Sequence, residues 1–145
     1  MPKARRGPRL QYAALPWRRG DEGQVEVLLI TSRETRRWVI PKGWGKKKEA
    51  GAEAAAREAL EECGVSGLVA AKPVGGFRYQ KILKTGEAEA VRVAVHALEV
   101  VQELDDWPER AIREKLWVTP QHASRLVDEP DLKALLLEFD PDRAA

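Results

Sequence analysis

The sequence predicts an α+β fold, in which helices pack on a mixed β-sheet. Segments rich in β-branched or alternating apolar residues, which favour strands, lie on both sides of one alanine-rich segment with helical character. Two short helical segments follow, so the predicted order is strands, helix, strands, helices. The length of 145 residues and the hydrophobic fraction of 43% suit one compact domain over 1–145.

The first half of the chain is predicted to form strands joined by short turns. LQYAALPW at 10–17 and QVEVLLITS at 24–32 have strand character, and RRGDEG between them is a turn segment. RRWVIP at 36–41 is expected to be a short strand that Pro41 ends, because proline lacks the amide hydrogen. A glycine- and lysine-rich loop is expected over 42–50.

Residues 52–63 are predicted to form a helix, with Glu53 in its first turn and Gly64 just past its end as a C-terminal cap. Its start is weakly specified, because Ala50 or Gly51 must serve as N-cap where Ser, Thr or Asp would be better. One face of this helix is apolar and is expected to dock on the sheet. Its members are Ala52, Ala56, Ala59, Leu60 and Cys63.

The second half of the chain is predicted to continue with strands and to end in two short helices. GLVAAKPVGGFRYQKIL at 67–83 has extended character with a break near Pro73, and VRVAVHALEVV at 91–101 has alternating β-branched residues. The remaining segments are a hairpin loop at 84–90, an acidic loop at 102–114, a strand at 115–119 and helices at 120–127 and 130–139.

Composition and charge restrict the function classes. The net charge of +2 does not indicate a nucleic-acid-binding protein, although basic residues are concentrated in 1–20 and 33–48. Cys63 is the single cysteine, so no disulfide can form within the chain, which favours a reducing compartment. No apolar segment follows the basic start and no stretch could span a membrane, so we expect a cytoplasmic protein with a flexible basic tail at 1–8.

Three glutamates share the other face of the predicted helix. Glu58, Glu61 and Glu62 stand at i, i+3 and i+4, where like charges repel by a few tenths of a kcal/mol per pair, roughly. A fully solvated face would tolerate this repulsion. A bound divalent cation would also relieve it, because hard cations such as Mg²⁺ prefer carboxylate oxygens. The three glutamates alone leave both interpretations open.

The spacing of the surrounding residues favours the metal interpretation. The stretch fits G-x5-E-x7-R-E-x-x-E-E-x-G at every fixed position, with Gly43, Glu49, Arg57, Glu58, Glu61, Glu62 and Gly64. That many fixed identities arise by chance in about one window in 10⁸. The stretch resembles the signature of the Nudix hydrolases. The resemblance implies the Nudix fold, a mixed β-sheet sandwiched between α-helices.

The resemblance also implies an enzyme that cleaves a diphosphate linkage with Mg²⁺ or Mn²⁺. The metal ligands that it implies are the carboxylates of Glu58, Glu61 and Glu62 and the backbone carbonyl of Gly43. Arg57 would orient these acids while paired with Glu49, and Gly64 would support the motif. Glu58 is the favoured general base and Glu61 the alternative, so the expected catalytic residues are Arg57, Glu58 and Glu61.

The flanking segments are similar to the diphosphoinositol polyphosphate phosphohydrolase branch of the family, which also accepts diadenosine polyphosphates. The similarity covers about 9–140 and includes LLITSRETRRWVIPKG and ELDDWPERAIREKLWVTPQHASRLV. The loop PKGWGKKKE departs from that branch, because Lys42 replaces a glycine and three lysines replace common acids; PKG is closer to diadenosine tetraphosphate hydrolases. The predicted substrate-binding residues are Arg33, Lys42, Lys46, Lys47, Lys48, Arg92, Arg113 and Lys115.

Three functional interpretations stay open. The first is a hydrolase of diphosphoinositol or diadenosine polyphosphates. The second is another Nudix specificity, such as ADP-ribose, a nucleoside triphosphate or an RNA 5′ end. The third is a non-enzymatic ligand-sensing domain, which is disfavoured because no acid of the motif is missing. The expected partner is a small phosphate-rich molecule, with no membrane and no nucleic acid other than an RNA 5′ end. One downstream acid could join the site; the candidates are Glu99, Glu103, Asp105 and Asp106.

Overall fold

The computed structural model describes residues 9–143, so the predicted basic tail at 1–8 lies outside the described residues. The strands in this range are β1 Arg9–Arg19, β2 Val25–Thr31, β3 Trp38–Val39, β4 Lys42–Trp44, β5 Val65–Val69, β6 Gly75–Ile82, β7 Ala88–Glu103 and β8 Lys115–Val118. The α-helices are α1 Gly51–Cys63, α2 Pro120–Leu126 and α3 Pro130–Glu138, and a 3-10 turn covers Arg110–Ile112. In residues 9–143, no helix is long and apolar enough to cross a membrane.

The strands of the described range form one mixed sheet of eight strands with β1 at its centre. β1 runs parallel to β7 and antiparallel to β2 and β4. The order is β3-β2-β1-β7-β5, with β4 beside β1, β6 beside β7 and β8 beside β2. The predicted α+β fold with a mixed sheet is therefore confirmed.

Helices cover both faces of this sheet. Successive side chains of a strand point to opposite faces, so Ala14 and Leu15 of β1 enter different cores. The core beneath α1 includes Ala14, Leu28, Leu98, Ala55 and Ala59. The core beneath α2 and α3 includes Leu15, Leu29, Val93, Leu132 and Leu136. The sheet is thus sandwiched between α1 on one face and the α2–α3 pair on the other.

Both ends of α1 lie where the sequence places them. Ala50 is the N-cap, and Glu53 supplies the missing polar group by accepting a hydrogen bond from the Ala50 amide at 3.0 Å. Gly64 is left-handed, with φ of 70°, and its amide donates to the Leu60 carbonyl at 3.1 Å. The Trp107 ring packs so tightly on Gly64 that a Cβ would overlap it. These caps fix the register of the motif glutamates along the helix.

Two features of this region differ from the expectation. Strand β4 lies inside the predicted loop 42–50, because these residues complete an antiparallel ladder along β1. Leu60, expected to dock on the sheet, is 38% exposed, whereas Glu58 and Glu62 are buried. The helix is rotated from the predicted orientation because it docks through small residues, among them Ala54, Ala55 and Ala59.

Candidate active site

The predicted metal-binding glutamates lie on a partly enclosed face of α1. Glu58 and Glu62 are only 9% and 7% exposed, and the side chain of Glu61 is 40% exposed. Burial of two carboxylates one helical turn apart is costly unless other groups compensate their charge. The groups around Glu58 and Glu62 must therefore compensate the charges of these carboxylates.

Gly43 brings the backbone of β4 against the Glu58 carboxylate. It pairs with Tyr12 of β1, on the sheet face that α1 covers. A Cβ on Gly43 would overlap the carboxylate of Glu58, so any other residue at this position would displace that carboxylate. The main chain of the loop and the acids of the helix are thus brought together, as the motif implies.

Arg57 ties the loop to the helix through four hydrogen bonds. Its Nε and Nη2 donate to the two carboxylate oxygens of Glu49 at 2.9 and 3.0 Å. Nη2 also donates to the carbonyl of Trp44 at 3.1 Å, and Nη1 donates to Glu58 at 2.9 Å. Hydrogen bonding by Arg57 holds the pKa of Glu49 at about 2, so this carboxylate stays charged at neutral pH. Arg57 therefore fixes the orientation of Glu58 relative to Gly43.

Glu62 lies deeper in the same face. Burial raises the pKa of Glu62, and a hydrogen bond with Glu58 raises it further, while Arg113 at 3.5 Å opposes the shift. Arg113 thus compensates only part of the cost of burying the Glu62 carboxylate. The site thus has the unbalanced negative charge that a divalent cation would neutralise.

The donor set fits the Mg²⁺ or Mn²⁺ that the motif implies. Carboxylate oxygens and a main-chain carbonyl are the ligands such hard cations prefer. In residues 9–143, no three carboxylate, imidazole or thiol groups converge on one point as they stand. Glu58 is turned toward Arg57, at 2.9 Å, and Glu61 extends toward solvent.

Sequence reasoning missed Glu109, an acid that the structure places beside the buried glutamates. It accepts two hydrogen bonds from Arg113, at 2.9 and 2.7 Å, and its amide donates to the Glu61 carbonyl at 3.1 Å. Arg113 also donates to the Thr31 carbonyl at 2.8 Å, and its side chain is only 7% exposed. The i, i+4 spacing of Glu109 and Arg113 was the available sequence signal. These bonds hold Arg113 next to Glu62, 3.5 Å away. The predicted contact of Arg113 with substrate stays a prediction.

The other predicted substrate-binding cations fall into two groups. The side chains of one group are exposed; they are Arg33, Lys46, Lys47, Lys48 and Arg92. The other group is engaged with protein. The ammonium of Lys42 lies 4.9 Å from the centre of the Tyr79 ring, and burial lowers the pKa of this amine. Lys115 lies 3.5 Å from Glu103 and 4.5 Å from the centre of the Trp107 ring.

The predicted downstream acids lie apart from the α1 carboxylates in this conformation. Glu103 is held by Arg18 at 3.1 Å and by the Trp117 indole at 3.1 Å. Asp106 lies 3.9 Å from Arg110 and is highly exposed. Glu99 and Asp105 are exposed. A role for any of these acids in the site stays a prediction.

An open cleft adjoins the loop that precedes α1. Its lining includes Arg9, Leu10, Tyr12, Trp44 and Lys46. The guanidinium of Arg9 lies 3.9 Å from the centre of the Trp44 ring, so the indole is already covered on one side. The cleft continues from the motif loop onto the start of β1.

The curated relatives include a Nudix hydrolase and a diphosphoinositol polyphosphate phosphohydrolase. The chain is 37% identical over 119 residues to Nudix hydrolase 12, mitochondrial, of Arabidopsis thaliana, covering 80% of this chain and 59% of that protein. It is 31% identical over 109 residues to diphosphoinositol polyphosphate phosphohydrolase 3-beta of Bos taurus, covering 73% and 62% respectively. The chain thus spans less than two thirds of the length of these relatives. The predicted cytoplasmic location stays a prediction, because the name of the plant relative places that protein in mitochondria.

Solved structures share the fold at lower sequence identity. A binary complex of the Ap4A hydrolase of C. elegans superposes with a TM-score of 0.67 at 21% identity, covering 93% of this chain and 97% of that one. The NUDIX domain of Shewanella oneidensis NrtR, complexed with ADP ribose, has a TM-score of 0.67 at 15% identity, covering 94% and 89%. Residues 9–139 match the NUDIX domain itself. The chain therefore belongs to the NUDIX domain family.

Proposed function

We propose that this protein is a metal-dependent hydrolase that cleaves the P–O–P linkage of a phosphate-rich small molecule. The observation that carries the proposal is the buried pair Glu58 and Glu62 beside Gly43, with Arg57 joining the loop to the helix. A solvated acidic helix face would not be buried. It would also not need an arginine with four hydrogen bonds to orient one of its acids.

The proposed chemistry follows from the charge of a diphosphate, which repels an attacking hydroxide. A bound Mg²⁺ or Mn²⁺ would neutralise phosphate oxygens and lower the pKa of a bound water. Glu58, Glu61, Glu62 and the Gly43 carbonyl are the groups that would hold the ion. Arg57 orients Glu58 in the structure, because its hydrogen bonds to Glu49 and to the Trp44 carbonyl hold the guanidinium in place.

The geometry bears on which glutamate takes the proton of the attacking water. Motif position favours Glu58 as the general base. However, Arg57 donates to the Glu58 carboxylate at 2.9 Å, so one of its oxygens is already engaged. Glu61 is 3.7 Å from Arg57 and its side chain is more exposed, so it is better placed to contact an attacking water. We therefore favour Glu61 as the base and Glu58 as a ligand.

Charge around the motif supports a phosphate-rich substrate, a diphosphoinositol polyphosphate or a diadenosine polyphosphate. Lys46, Lys47 and Lys48 are exposed and form no ion pair within residues 9–143. They stand in the loop between Gly43 and α1, beside the open cleft. Each well-placed charge-assisted contact contributes about 1.5–3 kcal/mol, so a few of them can set substrate preference.

Changing Lys46, Lys47 and Lys48 together to Ala is expected to lower kcat/KM for diadenosine tetraphosphate and a diphosphoinositol polyphosphate at least about 10-fold. ADP-ribose, with fewer charges, should lose less. The loop should keep its fold, because Lys46 holds Glu49 through its backbone amide at 2.9 Å. The measurement is phosphate or nucleotide release from the three substrates, with and without Mg²⁺, for wild type and the triple variant.

The same comparison separates the open interpretations. If ADP-ribose is the best substrate and the triple variant treats all three alike, the lysines are solvated and another Nudix specificity replaces the one proposed. If no panel member is cleaved while ligands still bind, the domain is a sensor. Turnover that is independent of Mg²⁺ and Mn²⁺ would contradict the proposed chemistry itself.

A further inference from the structure

Two arginines stand directly opposite each other on neighbouring strands. Arg78 of β6 and Arg92 of β7 are Cα partners in an antiparallel ladder, so their side chains leave the same face of the sheet. Such pairs have Cβ atoms about 4.5–5.5 Å apart, and like charges on directly opposite residues are destabilising. Both residues are exposed. The fold thus places two positive charges together where a neutral pair would be more stable.

Nothing in the described range neutralises this pair. Within residues 9–143, neither Arg78 nor Arg92 takes part in an ion pair or a side-chain hydrogen bond. They line a cavity together with Gly75, Gly76, Phe77 and Asp131 of α3. Asp131 is the acidic residue of that lining and does not lie within ion-pair distance of either arginine. The charged residues that line the cavity, two arginines and one aspartate, therefore give it a net positive charge.

This arginine pair lies on the same face as the motif glycine. Gly43 pairs with Tyr12, Tyr12 with Ala94, and Ala94 with Gly76, so these residues form one row across the sheet. Leu10, Arg92 and Arg78 form the row two residues further along. Strand spacing and rise place the Cα of Arg92 ~12 Å, and that of Arg78 ~16 Å, from the Cα of Gly43.

Residues that line the two cavities are neighbours in the sheet. Leu10 lines the cleft beside Lys46, and its Cα partner across the ladder is Arg92, which lines the second cavity. The start of α1 lies over Tyr12 and His96, since a Cβ on Gly51 would be 2.6 Å from the Tyr12 ring and 3.2 Å from His96 Nε2. The helix runs from there toward Gly64. The row of Leu10, Arg92 and Arg78 therefore lies on the sheet ahead of the first turn of the helix.

We propose that Arg78 and Arg92 form a second anion subsite, which binds phosphate groups of the substrate remote from the hydrolysed linkage. The inference rests on the proposed hydrolase function for the identity of this substrate, but the subsite binds anions independently of turnover. A molecule with its scissile diphosphate beside Gly43 and further phosphates about 12–16 Å away would span both. The bound phosphates would also remove the repulsion between the two guanidinium groups. Among the polyphosphate substrates, those with phosphate at both ends of the cleft would gain the most binding affinity from this subsite.

The test uses inositol hexakisphosphate, which has clustered phosphates but no diphosphate linkage, so binding is measured without turnover. Arg78→Gln and Arg92→Gln are each expected to weaken its binding at least about 10-fold, by calorimetry at low salt. Each variant should keep or raise Tm, because it removes a like-charge pair. Arg125→Gln on α2 is the matched control: Arg125 is also exposed, lies on another element, and should leave binding unchanged.

The outcomes separate the subsite from the proposed function. Unchanged affinity in both variants, with a normal Tm, would overturn the subsite, even if the enzyme hydrolyses diphosphates. Weakened binding in both variants but not in Arg125→Gln would establish the subsite, even if no phosphate is ever released. Equal weakening in all three variants would show only diffuse attraction by net charge and would also overturn it.

Discussion

Glu62→Gln is expected to lower kcat for diphosphate hydrolysis at least about 100-fold, because it removes a carboxylate of the proposed metal site. Folding should not suffer. The carboxyl of Glu62 is 7% exposed and its charge is opposed by burial, so a neutral amide of the same shape costs little. We expect a Tm equal to that of wild type or higher. The measurements are single-substrate kinetics at saturating Mg²⁺ and thermal unfolding of the same preparations.

Glu53→Gln is the matched control for this prediction. Glu53 is on the same helix and exposed, and a glutamine can still accept the hydrogen bond from the Ala50 amide. Its kcat should stay within about 2-fold of wild type, since it has no part in the site. Wild-type turnover in Glu62→Gln would remove this residue from the metal site. A collapse of its Tm would mean that the charged form of Glu62 stabilises the fold.

Arg57→Lys is expected to reduce both stability and catalysis. Lysine keeps the charge but cannot donate to both oxygens of Glu49 and also reach Glu58 and the Trp44 carbonyl. Arg57 is only 21% exposed, and disruption of such a part-buried network costs about 3 kcal/mol, or about 10 °C in Tm. Loss of the Glu58 orientation should lower kcat by about 100-fold, even at temperatures where the variant is folded.

Arg110→Lys provides the comparison, because its ion pair with Asp106 is long, at 3.9 Å, and exposed. Such pairs contribute little, and we expect a Tm within about 2 °C of wild type and unchanged kcat. Were Arg57→Lys to lose Tm but keep wild-type kcat at low temperature, the arginine would be a purely structural link. Its assigned role in orienting Glu58 would then be wrong.

The motif and the helix ends could be predicted from sequence because they depend on local rules. Gly64 takes the left-handed conformation that favours glycine, and Ala50 is the N-cap because better capping residues are absent. The resemblance to the Nudix motif implied the pairing of Glu49 with Arg57, and the structure has two hydrogen bonds between them. The fold class followed from the order of strand and helix patterns.

Long-range contacts explain what the sequence did not predict. Residues 42–44 form β4 because they pair with β1. On their own, their glycine and lysine favour a loop. The orientation of α1 depends on β4 and on the segment carrying Glu109, which cover Glu58 and Glu62. The opposition of Arg78 and Arg92 is set by the register of β6 on β7. None of these pairings leaves a periodic signal within one segment.

Binding of Mn²⁺, followed by electron paramagnetic resonance in titrations of wild type and Glu62→Gln, tests the central claim most directly. Even the loss of a residue that only supports a metal ligand costs about 10–100-fold in affinity, so loss of a ligand should cost at least as much. We therefore expect saturable binding by the wild type and at least about 10-fold weaker binding by the variant, with Glu53→Gln equal to wild type. Equal Mn²⁺ affinity in all three proteins would contradict a metal centre on this face of α1.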